Sequence, residues 1–198
     1  MSKVTIELIQ ELREKTGLGI MDCKKALLDT DGSIEKSIEL LRKKGSLIAE
    51  KRGGNQTSQG IIYSYIHSGS KIGVLLEVNC ETDFVANTDV IKTLAHNIAM
   101  HIAAMRPRFI SEVDVDSSTL EKEKEIYITQ LRNEKKPENI ITTIVEGKLK
   151  KFYAEHCLLY QTFIKNDQMT IHDLVKETIA KVGENIKINR FTRYEIGA

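Results

Sequence analysis

The spacing of apolar residues predicts a helical segment at the start of the chain. In the first fifty residues apolar side chains recur at intervals of three and four, the period of one helix face. We therefore predict three short helices, whose apolar positions are Ile6, Ile9 and Leu12, then Ala26 and Leu27, then Ile34, Ile38 and Leu41. Ser33 is placed to cap the third helix, and Gly45 is placed to end it.

Beyond residue 60 the pattern predicts strands as well as helices. Segments 61–67 and 71–78 are rich in branched aliphatic residues and flank Ser68-Gly69-Ser70, a composition typical of a β-hairpin. An apolar stripe at helical spacing predicts a long helix at 88–104, which Pro107 ends. The remaining predictions are helices at 120–133, 138–156 and 171–181, a β segment at 158–164, and a last strand at 185–195.

These elements predict an α+β chain with an N-terminal module and a larger domain. Residues 1–45 would form a compact three-helix module similar to ubiquitin-associated domains. Residues 46–59 are polar and glycine-rich and are predicted to be a linker. Residues 60–198 would form the core domain, an α/β arrangement in which a small antiparallel sheet packs on helices.

The junction between the second strand and the long helix is the most informative feature of the chain. It reads Asn79-Cys80-Glu81-Thr82-Asp83-Phe84-Val85-Ala86-Asn87, so a carboxylate and a phenyl ring stand side by side where folds display functional groups. Ordinary alternatives exist, because most phenylalanines are buried and Asp is common near helix starts. Thr82 is the better candidate for the helix cap.

Composition and charge narrow the class of protein. The chain has 29 basic and 28 acidic residues, a net charge of +1, which argues against a nucleic-acid or membrane binder with a large basic field. Three cysteines without a Cys-x-x-Cys pair, and no signal peptide, predict free thiols in a reducing compartment. Because no apolar run approaches ~18 residues, we expect no membrane span.

Motifs for catalysis are missing from the sequence. The five histidines form no metal-ligand pattern, and His96 and His101 are spaced wrongly for one helix face. A Ser-x-x-Lys string occurs at both 33–36 and 68–71, without companion motifs. With no phosphate-binding Gly-x-x-x-x-Gly-Lys-[Ser/Thr] motif, we expect neither an enzyme nor a GTP-binding protein, and no metal or cofactor.

Two segments carry a family resemblance. Residues 12–27, Leu-Arg-Glu-Lys-Thr-Gly-Leu-Gly-Ile-Met-Asp-Cys-Lys-Lys-Ala-Leu, and the junction at 79–87 closely resemble elongation factor Ts, in order and separation. The resemblance extends over nearly the whole chain. It implies a guanine nucleotide exchange factor for elongation factor Tu, a GTPase that holds GDP with a phosphate loop and Mg²⁺.

The resemblance assigns roles to individual residues. Thr82, Asp83, Phe84 and Val85 would dislocate Mg²⁺ in the partner, with Phe84 inserted near the phosphates. Residues Arg13, Ile20, Met21, His67, Val182 and Gly183 would contact elongation factor Tu. From the residues alone, packing of Ile20 and Met21 inside the bundle is as good an interpretation, and His67 could simply end a hairpin. Ile20 and Asn87 depart mildly from the family pattern.

The resemblance also predicts the assembly. Longer family members carry two related halves in the larger domain, whereas only one set of strands is present here, so we expect a homodimer. The segment 158–164, with Tyr160 and Phe163, is the candidate interface. The protein would act in a bacterial cytoplasm or a plastid stroma. Two other classes remain open: an interaction adaptor that binds a peptide or ubiquitin-like partner through the helical module, and a hydrolase without an identifiable triad.

Overall fold

The computed structural model describes residues 4–197 and is a mixed α+β structure. It begins with three helices and continues with a region that contains both strands and helices, as the sequence predicts. The helices are α1 (Ile6–Thr16), α2 (Ile20–Asp29), α3 (Ile34–Arg52), α4 (Asp83–Ala86), α5 (Asp89–Met105), α6 (Ser117–Asn133), α7 (Glu138–His156) and α8 (Ile171–Val182). The strands are β1 (Gln59–Ile66), β2 (Ile72–Cys80), β3 (Thr162–Phe163), β4 (Asn166–Thr170) and β5 (Ile186–Glu195).

Helices α1, α2 and α3 pack on one another around a small apolar core. Its fully or largely buried members are Leu12, Cys23, Ala26, Leu27 and Leu41. Two of the helix starts have a clear physical cause: the Thr5 hydroxyl accepts from the Leu8 N–H, and the Ser33 hydroxyl accepts from the Lys36 N–H. The prediction that Ile6 belongs to the core face is wrong, because its side chain is 70% exposed.

Helix α3 does not stop at Gly45, so that prediction is wrong. The helix continues to Arg52 and therefore includes the first half of the predicted linker, residues 46–52. Gly45 is buried, and a Cβ built on it would lie 3.0 Å from the Cβ of Ala180 in α8. The glycine is present because two helix backbones approach closely, and this need outweighs its usual cost inside a helix. The domain limits at 1–45 and 60–198 stay predictions, and their outermost residues lie outside the described part of the chain.

The main sheet has three strands in the order β1-β2-β5. The predicted hairpin is present, and the His67 N–H donates to the Ile72 carbonyl at its turn. Strand β2 alternates buried Val74, Leu76, Val78 and Cys80 with more exposed residues, so one face of the sheet is covered. The segment predicted as β at 158–164 is instead a 3₁₀ turn, Leu158–Tyr160, followed by the short β3, which pairs antiparallel with β4.

Contacts divide the chain into two compact units, and several of the long helices and strands have residues in both. The first unit comprises the chain up to Ile62, with Glu77–Ala95 and Leu174–Asn189. The second comprises Tyr63–Leu76, His96–Asp173 and the chain from Arg190 onward. In the second unit α6 and α7 form a helical hairpin around Leu131, Ile141, Val145 and Leu149. Within residues 4–197 no helix is both long and apolar enough to cross a membrane.

Candidate functional site

The junction after β2 presents Asp83 and Phe84 to solvent. The Thr82 hydroxyl accepts from the Val85 N–H at 3.3 Å and starts the single turn α4, so Thr82 is the cap, as predicted. Phe84 is 80% exposed, which excludes the core interpretation of this residue. Asp83 is exposed, and within residues 4–197 no hydrogen bond reaches its carboxylate. Val85 and Ala86 are buried and anchor the turn from beneath.

The turn that follows α8 supports this junction. Gly183 ends α8 at a φ of +74°, a left-handed conformation that glycine adopts without strain. The next residue, Glu184, accepts two hydrogen bonds from Thr82, one from its N–H at 3.0 Å and one from its hydroxyl at 2.7 Å. Val182 is half-buried, whereas no atom lies within 4 Å of a Cβ built on Gly183. The predicted pair Val182-Gly183 is thus directly beside the Asp83-Phe84 turn.

A second carboxylate, that of Glu81, holds the other side of the junction. It accepts from the backbone N–H of Asn185 at 2.7 Å and from the Asn55 amide at 3.0 Å, and Arg52 approaches at 3.4 Å. The Asn185 hydrogen bond, then that of Asn55, lowers the pKa of Glu81, so the group stays ionised at neutral pH. Asn185, only 2% exposed, in turn donates to the carbonyls of Asn55 and Gly53.

Cys80 is buried at the end of β2 and is not a reactive thiol. Its Sγ donates to the Thr82 carbonyl at 3.1 Å. Burial, with a smaller contribution from the nearby Glu184 charge, raises the pKa of Cys80, so the thiol remains protonated at neutral pH. Its contact adds a further fixed point beneath the junction.

The helical module exposes two adjacent apolar residues at its apex. Ile20 and Met21 begin α2 and are 54% and 74% exposed, so they do not pack inside the bundle. Arg13 on α1 is also exposed. Gly17 ends α1 with a φ of +67°, and a Cβ there would lie 3.3 Å from the Lys181 Cε at the end of α8. The apex loop therefore reaches the end of α8, next to the turn at Gly183.

These contacts bring most of the predicted site residues into one unit. The apex of the module, the turn after α8 and the junction after β2 all belong to the first unit. His67 belongs to the second unit, where it is exposed and its Nδ1 lies 3.0 Å from the Tyr65 hydroxyl. The other histidines at issue also have side-chain partners: His96 lies 3.0 Å from the Tyr63 hydroxyl and His101 lies 3.0 Å from Gln161.

Sequence reasoning did not identify the supporting residues Glu81, Glu184, Asn185 and Lys181. Glu81 stands inside the junction motif, but its partners are distant in sequence, and no local pattern joins residue 55 to residue 185. One sequence signal could have identified Glu184 and Asn185: they directly follow the predicted pair Val182-Gly183. Among the described residues no cluster of three or more His, Cys, Asp or Glu side chains could hold a metal ion.

Comparison with known proteins identifies the family to which the chain belongs. The family model described as elongation factor TS matches residues 10–198. Elongation factor Ts of Thermotoga neapolitana is 54% identical over 195 residues, 98% of this chain and 98% of that protein. Elongation factor Ts of Desulfosudis oleivorans is 52% identical over 197 residues, 100% of each chain. The protein therefore belongs to the elongation factor Ts family of translation elongation factors.

Proposed function

We propose that the protein is a guanine nucleotide exchange factor, and not an enzyme, which binds elongation factor Tu·GDP and promotes release of GDP so that GTP can bind. The observation that carries the proposal is Phe84, a phenyl ring 80% exposed on a tightly held turn. Burying such a ring in a partner gains roughly 1.5–3 kcal/mol, which an isolated chain forgoes. A partner surface that accepts this ring explains why it is held outward.

The mechanism follows from the chemistry of the partner's nucleotide site. GDP is held there by a phosphate loop and a Mg²⁺ ion that bridges phosphate and side-chain oxygens. Phe84 inserts near the phosphates, and the free carboxylate of Asp83 accepts hydrogen bonds from the segment beside the ion, while Thr82 and Val85 hold the turn in place. Once Mg²⁺ is displaced, the diphosphate charge is poorly compensated and GDP leaves faster. By reciprocity, bound nucleotide weakens the exchange factor by the same factor, so GTP releases it.

A second set of contacts supplies affinity for elongation factor Tu. Ile20 and Met21 project together from the apex of the helical module and fit an apolar helix face of the nucleotide domain, where a flexible Met adapts well. Arg13 adds a charged contact. Val182 and Gly183 touch the same domain beside the inserted turn. Because all of these groups lie in the first unit, that one unit supplies all of these contacts with the nucleotide domain.

His67 contributes a contact from the second unit. Its ring is exposed, and its Nδ1 lies against the Tyr65 hydroxyl, so Nε2 is the nitrogen available to a partner. Tyr65 also stacks edge-on against His96, with ring centroids 5.6 Å apart. This arrangement fixes the direction of the His67 ring before elongation factor Tu arrives.

The active assembly is a homodimer, with one elongation factor Tu bound per protomer, in a bacterial cytoplasm or a plastid stroma. Exposed apolar residues on the strands, and one directly after β5, support a second copy as the occupant: Ile66, Leu75, Tyr194 and Ile196 are each at least 50% exposed. Leu75 alternates with buried Val74 and Leu76, so it lies on the uncovered face. Within the segment 158–164, Leu158 and Phe163 are buried in their own chain, which leaves Tyr160 and Ile164 for an interface.

Stopped-flow release of a fluorescent GDP from elongation factor Tu·Mg²⁺ tests the proposal. Adding the protein should accelerate release with a saturable dependence on its concentration. Excess Mg²⁺ should reduce the acceleration, since the ion and the inserted turn compete. Binding to elongation factor Tu without acceleration, or no binding, would favour an adaptor that uses the helical module for another partner.

A further inference from the structure

Glu81 joins three segments that lie far apart in sequence. Its carboxylate accepts from Asn185 after α8 and from Asn55 after α3, and it pairs with Arg52 at the end of α3. The side chain is only 19% exposed and is directed at these groups, in contrast to Phe84 three residues later. It therefore cannot contact elongation factor Tu in the way that Phe84 does.

Glu81 is close enough in the chain to the exposed turn to fix its backbone. Only Thr82 separates it from Asp83, and Thr82 is itself fixed by Glu184. The two carboxylates hold consecutive residues, Glu81 through its own side chain and Thr82 through an N–H and a hydroxyl. Side-chain hydrogen bonds therefore fix the chain at Glu81 and at Thr82, the two residues that lead into the turn with Phe84.

We propose that Glu81 is a positioning residue for exchange: it fixes the direction of Phe84 and ties the inserted turn to the end of α3, so that the helical module and the turn engage elongation factor Tu in one fixed geometry. This inference rests on the proposed exchange function. Insertion into a nucleotide site is sensitive to geometry, since a misplacement of about 1 Å can cost on the order of 100-fold in rate.

Replacing Glu81 has a defined physical effect. Glu81→Gln keeps the size of the side chain, and its amide oxygen can take the place of Oε1, which accepts from both Asn185 and Asn55. Its NH₂ group then replaces Oε2 and faces two donors, the Asn55 amide and the Arg52 guanidinium, so the ion pair with the end of α3 is lost. Phe84 remains present and exposed, but its direction is no longer fixed.

The test measures GDP release over a range of protein concentrations, for wild type, Glu81→Gln and a matched control, Glu77→Gln. Glu77 lies four residues earlier, within β2, and likewise accepts from an asparagine amide, that of Asn189 on β5 at 2.8 Å. We expect Glu81→Gln to lower the maximal release rate about 10-fold, within the range that small misplacements produce. The concentration for half-maximal effect should change less, and Glu77→Gln should behave as wild type.

A double-mutant cycle separates positioning from a general loss of structure. If Glu81 acts through Phe84, adding Glu81→Gln to Phe84→Ala should reduce release no further. Equal effects of Glu81→Gln with and without Phe84, or equal effects of Glu81→Gln and Glu77→Gln, would overturn the inference while leaving exchange intact. No acceleration by wild type would overturn the exchange function itself. Should Glu81→Gln fail to fold, Asn55→Ala, which removes one donor to the same carboxylate, takes its place in the cycle.

Discussion

Thr82 and Glu184, which are 102 residues apart in the chain, are joined by two hydrogen bonds to one carboxylate. The Thr82 N–H donates to Oε2 at 3.0 Å, and its hydroxyl donates to Oε1 at 2.7 Å. The same hydroxyl accepts from the Val85 N–H, so one oxygen both caps α4 and ties it to the turn after α8. The exposed Phe84 stands on a turn whose first residue is held from two directions.

Thr82→Ala should therefore impair both stability and exchange. The change removes a helix cap, worth about 1 kcal/mol, and the hydroxyl bond to Glu184. We expect a modest fall in melting temperature and a several-fold lower maximal rate of GDP release. Thr82→Ser keeps the hydroxyl and should restore most of both properties. If Thr82→Ser behaves like Thr82→Ala, the hydroxyl is not the group that matters.

The surroundings of two helical glycines, Gly45 in α3 and Gly147 in α7, predict opposite effects of substitution on stability. Gly45→Leu puts a side chain where even a Cβ lies 3.0 Å from Ala180, so overpacking should lower the free energy of unfolding by about 1–3 kcal/mol.

Gly147 lies exposed within α7, and no atom is within 4 Å of a Cβ built on it, so Gly147→Ala should raise the free energy of unfolding by about 1 kcal/mol.

Urea denaturation of both variants measures the two effects. A neutral Gly45→Leu would show that α3 and α8 separate at little cost. In that case the contact between the helices would not be what holds the helical module beside the turn after α8.

Local patterns predicted most of the elements correctly. Helix α7 begins and ends at the predicted residues, because its apolar period is regular and Pro137 and Cys157 bound it. The end of α3 was predicted wrongly because Gly45 indicates a helix end by local rules, whereas tertiary contact with Ala180 requires a glycine inside the helix. The prediction of a strand at 158–164 was wrong for a similar reason: Leu158 and Phe163 are buried by tertiary packing, and only Thr162–Phe163 forms a strand.

The exposed groups of the candidate site could be predicted from the sequence, but the hydrogen bonds that hold them in place could not. Phe84 and Met21 belong to motifs that are continuous in sequence. Glu81 depends on Asn55 and Asn185, whose distance along the chain leaves no periodic signal. A sequence motif identifies the groups offered to a partner, whereas the hydrogen bonds that aim them require the folded chain.

His101 should make stability depend on pH. It is buried, and its tautomer is fixed: Gln161 donates its amide to the Glu155 carbonyl, so its oxygen faces His101 Nε2–H, while Nδ1 accepts from the Ile164 N–H. Burial lowers the pKa of His101, with the Gln161 hydrogen bond opposing in part. Below the unfolded value of about 6.5, the unfolded chain binds a proton that the folded chain resists, so acid favours unfolding.

We expect the melting temperature to fall as the pH is lowered from about 7.5 to about 5.5, before most carboxylates titrate. His101→Gln should show a smaller fall over the same range, because it removes this group and leaves the other histidines unchanged. An identical pH dependence in both proteins would show that His101 does not contribute.

The assembly prediction can be tested by sedimentation. If two copies meet through the uncovered sheet face, Leu75→Lys should convert the dimer to a monomer, because a buried unpaired charge is costly. Ile164→Lys tests the interface predicted from the sequence, since Ile164 is 41% exposed. Dissociation by Ile164→Lys alone would place the interface at 158–164, and a wild-type monomer would exclude the dimer.

The most direct test of the central claim is the release of fluorescent GDP from elongation factor Tu, measured by stopped flow with wild type, Phe84→Ala and Val113→Ala. Val113 is 86% exposed in the second unit and serves as the matched control. Because Phe84 packs little against its own chain, the free energy of unfolding of Phe84→Ala should lie within about 0.5 kcal/mol of wild type. We predict strong acceleration by wild type and Val113→Ala and a large loss with Phe84→Ala. Equal acceleration by all three would contradict the role of the inserted turn.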